Sequence, residues 1–147
     1  MNKQIYVNLP VGDLERSKAF FGTLGFGFNP QFSDQNAACM IVSPDIYVML
    51  LAEPFFQTFT NKPVSDAKTS TEVLLCLSCD SRAAVDELAA KARAAGGALP
   101  NAPKDYGFMY QHGFEDLDGH LWELAYMESM PEQQPQASEA AAADPQI

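Results

Sequence analysis

What most constrains this chain is a repeat of element order, with almost no repeat of residues. Ile5 to Val11 reads as a strand, with Pro10 marking its end or a sheet edge. Asp13 can cap the helix that follows, whose Leu14, Ser17, Phe20, Phe21 and Leu24 form a stripe at helical spacing before Gly25 stops it. Phe26 to Phe28, Asn36 to Val42 and Ile46 to Ala52 then read as strands, with a turn at Pro44-Asp45. From Glu72 the order restarts. Glu72 to Cys79 is a strand, Ser81 a cap, and Val85, Leu88, Ala89 and Ala92 an amphipathic helix ended by Gly96-Gly97. Ala98-Leu99 begins a short strand, Pro100 to Gly107 reads as a loop, and residues 108–127 close the half as a hairpin. Setting Asp13 on Ser81, an offset of 68 residues, superposes Phe20 on Leu88, Phe21 on Ala89, Leu24 on Ala92 and Asn8 on Cys76. A module that cannot bury its own sheet must pair with another. The predicted fold is therefore α+β, two βαβββ modules at about 4–52 and 72–128 in one domain, 1–129. Helices 13–24 and 81–95 are expected outside the two mixed sheets. Residues 130–147, rich in Pro, Gln and Ala, are expected to be a disordered tail.

The closing hairpin carries the chemistry. Asp118-Gly119 is a tight-turn signal between Phe108–Phe114 and Leu121–Met127. Alternation puts Trp122, Leu124 and Tyr126 on one face and Leu121, Glu123, Ala125 and Met127 on the other. The Trp122 face is apolar and should meet the core. Glu123 then lies mid-strand between large apolar neighbours, either as an exposed solubilising residue or as a carboxylate aimed into a cavity.

Asp-Leu-Asp-Gly-His-Leu-Trp-Glu-Leu, 116–124, resembles the closing hairpin of the glyoxalase, bleomycin-resistance and extradiol-dioxygenase superfamily, the vicinal-oxygen-chelate fold. The resemblance extends over roughly residues 4 to 128. It implies two modules curling their sheets into a shared cup, with metal ligands from the first and last strand of each. The positions matching those ligands are Asn8, Met49, Cys76 and Glu123, of which only Glu123 keeps the family's residue type. Asn8 offers a weak neutral oxygen, and Met49 a thioether that Zn²⁺, Ni²⁺ or Fe²⁺ does not select in an oxygen and nitrogen site. His112, if it faces the cup, can pair with Glu123 as a second ligand or an acid–base partner, or it is a rim histidine bonded to a backbone carbonyl. No metal site is assigned. If a divalent ion (Zn, Ni, Mn or Fe) is held, Glu123 and His112 hold it.

Composition narrows the partners. A net charge of −10 argues against nucleic acid and anionic membranes, which need basic patches. No apolar run approaches the ~20 residues of a membrane span, and no signal segment is visible, so a cytoplasmic protein is expected. Cys39, Cys76 and Cys79 are an odd number, which fits free thiols in a reducing compartment. Cys76-Leu77-Ser78-Cys79 reads as buried structural thiols more readily than as a redox or metal pair. Glu53 to Thr71 is a long connection holding Phe55, Phe56 and Phe59, which can pin the loop, line a cavity or meet a partner subunit. A homodimer is expected.

Three functions follow. The first is a protein that binds a small organic molecule in the sheet cup, similar to antibiotic-resistance proteins that sequester a ligand between aromatic walls. Phe55, Phe56, Phe59, Tyr110, Asn8 and Glu123 would supply its stacking surface and polar anchors. The second is a metal-dependent lyase or dioxygenase of the lactoylglutathione-lyase or extradiol type, with Glu123 as a ligand and His112 as a ligand or base. The third is a non-catalytic structural or regulatory homodimer.

Overall fold

The repeat is plain in the backbone. A computed structural model describes residues 2–128, so the tail expected at 130–147 lies outside the described residues. The first module runs β1 (Ile5–Val11), α1 (Leu14–Thr23), β2 (Gly27–Asn29), β3 (Ala37–Ser43) and β4 (Ile46–Ala52). The second begins with β5 (Leu74–Ser78), after a short helix, α2 (Glu53–Gln57), in the connection. It continues through α3 (Arg82–Ala94), β6 (Lys104–Asp105), β7 (Met109–Glu115) and β8 (Leu121–Met127). Each module is a four-stranded sheet, ordered β1-β4-β3-β2 and β5-β8-β7-β6. The outer pairs β1–β4 and β5–β8 are parallel and the others antiparallel, as a helical crossover followed by a meander requires.

The caps fall where the sequence put them. Asp13 accepts from the backbone N–H of Arg16 at 3.2 Å, and Ser81 from that of Ala84 at 3.0 Å. Two expectations need correcting. The connection after β4 is helical at its start, because Pro54 in the first turn and the Phe55–Phe56 pair tolerate a helix. Ala98 makes only an isolated bridge to Glu115, and the short strand of this half forms later, at Lys104–Asp105.

The helices lie on one face of each sheet and share one core. Phe21 of α1 meets Trp122 of β8 at 5.2 Å between ring centroids, and Phe20 meets Phe114 of β7 at 6.0 Å. Phe114 and Trp122 stack at 6.1 Å. Phe21, Phe114 and Trp122 are each 1% exposed. Burying each such ring stabilises the fold by about 2–3 kcal/mol. The modules are thus joined through their helix-covered faces, and the opposite sheet faces stay open.

Candidate functional site

The turn between β7 and β8 is built from buried acceptors. Asp116 Oδ1 accepts from the N–H groups of Asp118 (2.9 Å) and His120 (3.0 Å), and Oδ2 from Trp122 Nε1 (3.0 Å). Burial pushes the Asp116 carboxyl above its ordinary range, an effect opposed by His120 and by these donors. Asp118 reaches the other module, accepting from Gly12 N at 2.8 Å and Ser17 Oγ at 3.2 Å. His120 Nε2 lies 2.8 Å from the carbonyl of Pro10, which requires its proton on Nε2. Gly119 has φ 96°, and a Cβ there would stand 2.7 Å from Lys68 N, so the connection lies directly over the turn. These residues clasp the modules together. That leaves Glu123.

On the open face of the second sheet, Cys76, Glu123 and Gly113 stand abreast across β5, β8 and β7. Glu123 is half-buried, and its Oε1 accepts from Gln111 Nε2 at 2.9 Å. Cys76 is exposed, with its thiol held above the ordinary range by burial of its surroundings and then by the Glu123 charge. Cys39 and Cys79 are also free, and burial raises both thiols. Beside Glu123 is a cavity of about 240 Å³, lined also by Gln111, Gly113, Leu121, Lys104 and the 100–102 segment.

Two expected members of this site turn away from the Glu123 carboxylate, although His112 still lines the cavity. His112 pairs in register with Leu124, and Tyr110 with Tyr126, so both side chains project to the helix side, away from Glu123. His112 Nε2 lies 3.2 Å from Asn101 O, the carbonyl-bonded alternative, and it is no acid–base partner for Glu123. Tyr110 donates to Asp86 Oδ1 at 2.6 Å and lies under the Arg82 guanidinium at 5.1 Å. That hydrogen bond to Asp86 raises the phenol above its ordinary range. Sequence reasoning missed Gln111. The signal was the length of the turn: five residues, 116–120, set Glu115 opposite Leu121 and so Gly113 opposite Glu123.

Asn8 and Phe56 line a different cavity, of about 380 Å³, between the end of β1, the connection and His120. Leu121 borders both cavities, and Glu123 lines only the smaller. Phe55 and Phe59 pack edge to face on each other at 5.1 Å and line neither. The expected single cluster of Asn8, three phenylalanines and Glu123 is therefore divided.

The donor set does not fit a divalent metal. Around Glu123 are an amide already bonded to it and one thiol, raised above its ordinary range by burial and then by the Glu123 charge. Among the described residues no three His, Cys, Asp or Glu side chains converge. Nor, among them, is any helix long and apolar enough to cross a membrane.

A family profile described as Bleomycin resistance protein-like N-terminal matches residues 3–43. No curated protein matches. Among solved structures, a hypothetical protein from S. aureus is 30% identical with a TM-score of 0.73, covering 86% of this chain and 95% of its own. A glyoxalase-related enzyme from Fulvimarina pelagi is 24% identical, with a TM-score of 0.72 and coverage of 86% and 88%. TnmS3, an antibiotic binding protein from Streptomyces sp. CB03234, is 23% identical, with a TM-score of 0.60 and coverage of 86% and 97%.

Proposed function

We propose that this chain, which belongs to the glyoxalase, bleomycin-resistance and dioxygenase superfamily, binds a small organic molecule beside Glu123. The observation that supports this reading most is the setting of Glu123 itself. A half-buried carboxylate stands on an open sheet face, oriented by Gln111, at the wall of a cavity of about 240 Å³. Gln111 holds one oxygen and leaves the second to anchor a donor or cation on a ligand. The antibiotic-binding neighbour of the same fold agrees with a binding role. A metal-dependent lyase or dioxygenase needs ligands that the described residues of this face do not offer.

Thermal shift against a panel of small organic amines and amides tests the reading. A ligand at a hundred times its Kd adds about 2.7 kcal/mol to stability. Compounds that raise the wild-type melting temperature should leave Glu123→Gln unmoved. Equal shifts in both proteins would move the site away from Glu123.

The proposal includes a homodimer. Tyr6 (50% exposed) and Leu74 (53%) stand on the open faces of the two sheets, and Phe59 (68%) on the connection. A second copy would cover apolar surface of this kind. Sedimentation giving a monomer at high micromolar concentration would remove the dimer and leave the binding reading intact.

A further inference from the structure

The second sheet has a missing rung. In an antiparallel ladder the N–H and C=O of one residue point the same way, and the direction alternates along the strand. Glu115 exchanges both groups with Ala98, at 2.8 and 3.0 Å, and the carbonyl of Met109 takes Tyr106 N at 2.8 Å on the same edge. Gly113, two residues from Glu115, turns its N–H and C=O to that edge too. There the ladder skips. Between the Ala98–Glu115 bridge and the Lys104–Gln111 pair, residues 99–103 loop out opposite only 112–114. Asn101 gives its carbonyl to His112, and none of residues 99–103 bonds the N–H or C=O of Gly113. The cavity beside Glu123 lies in this gap, walled by Pro100, Asn101 and Ala102. His112, on the same wall, has a buried Nδ1 without a partner.

The geometry points to a ligand carrying one extended aminoacyl unit with a cationic side group, which fills the gap as the absent residue of the ladder. A residue opposite Gly113 would exchange both N–H···O bonds with it, needing an N–H and a C=O on the same α-carbon. The gap is bounded by the Ala98 bridge and by β6, so it takes one residue and not a strand. Side chains of opposed residues lie on one face of the sheet, so the ligand's side group would emerge on the Glu123 face. Gly113 keeps that path clear. A Cβ there would lie 3.9 Å from Glu123 Cγ and 2.9 Å from Trp122 O. The Glu123 carboxylate then favours a cation.

The inference rests on the reading of this cavity as the ligand site, and its test separates the two. The full chain, labelled with ¹⁵N, is titrated with Nα-acetyl-lysine methylamide and with the same compound methylated on its α-nitrogen. The free protein should exchange the Gly113 amide proton at least about tenfold faster than that of Phe114, whose N–H faces β8. The first probe should shift the Gly113 amide saturably, and the methylated probe should bind about tenfold more weakly, the equivalent of one hydrogen bond. In Glu123→Gln both should weaken while their ratio persists. Equal binding of the two probes that moves Gln111 but not Gly113 would overturn the missing-rung inference and leave the binding site standing. If no resonance of the cavity moves with either probe, both readings fall.

Discussion

On the open face of the first sheet Tyr6 stacks on Tyr47 at 4.9 Å, and Met49 holds the place that Glu123 takes in the second. In the second sheet Leu74 and Leu121 stand where Tyr6 and Tyr47 do, Cys76 stands where Asn8 does, and Glu123 is bonded to Gln111 of the next strand. The hairpins differ in the same sense. The β3–β4 turn makes exposed bonds within its own module, Tyr47 and Gln4 both donating to Pro44 O, whereas the β7–β8 turn buries Asp116 and sends Asp118 and His120 into the other module. One topology serves two ends. The first module offers apolar surface, and the second supplies both the clasp and the polar site.

The sharpest way to break this contrast is at the turns. Asp116→Ala leaves Trp122 Nε1 and two backbone donors without their acceptor, and should cost about 3 kcal/mol in chemical denaturation. Asp45→Ala, at the matching turn of the first module, should stay within about 0.5 kcal/mol. Equal losses would mean that the two turns do the same work. Asp118→Ala comes next, at about 1–2 kcal/mol, since it frees Gly12 N and Ser17 Oγ at the module boundary.

The open faces allow a gentler test. Met49→Leu keeps volume and apolar character and should leave both melting temperature and ligand binding almost unchanged. A smaller effect is expected at Cys76. The Glu123 charge disfavours the thiolate, so Glu123→Gln should lower the pH at which Cys76 reacts with iodoacetamide and modestly speed alkylation at neutral pH. An unchanged pH profile would separate the thiol from the carboxylate.

Much of the fold was legible in the sequence because its signals are local: Asp13 and Ser81 caps, helical stripes, an Asp-Gly turn. The orientation of Glu123 opposite Trp122 was legible for the same reason, since one strand's alternation fixes it. Which residues of β7 share its face was not. That depends on the register across the turn, and a one-residue difference exchanges Gln111 and Gly113 for Tyr110 and His112. The division of Asn8 and Phe56 from Glu123 was hidden too, because it depends on how the connection folds over Gly119. The roles of Asp116 and Asp118 as module clasp are likewise tertiary, although their spacing around Gly119 marked the turn.

The central claim is that the polar face of the second module, and Glu123 within it, holds a small organic ligand. Native mass spectrometry of wild type and Glu123→Gln, each exposed to the same mixture of small organic cations and then desalted, tests it most directly. The account predicts a ligand adduct on the wild type that is lost from Glu123→Gln, while the two melting temperatures agree within about 2 °C. An adduct of equal intensity on both proteins would contradict it.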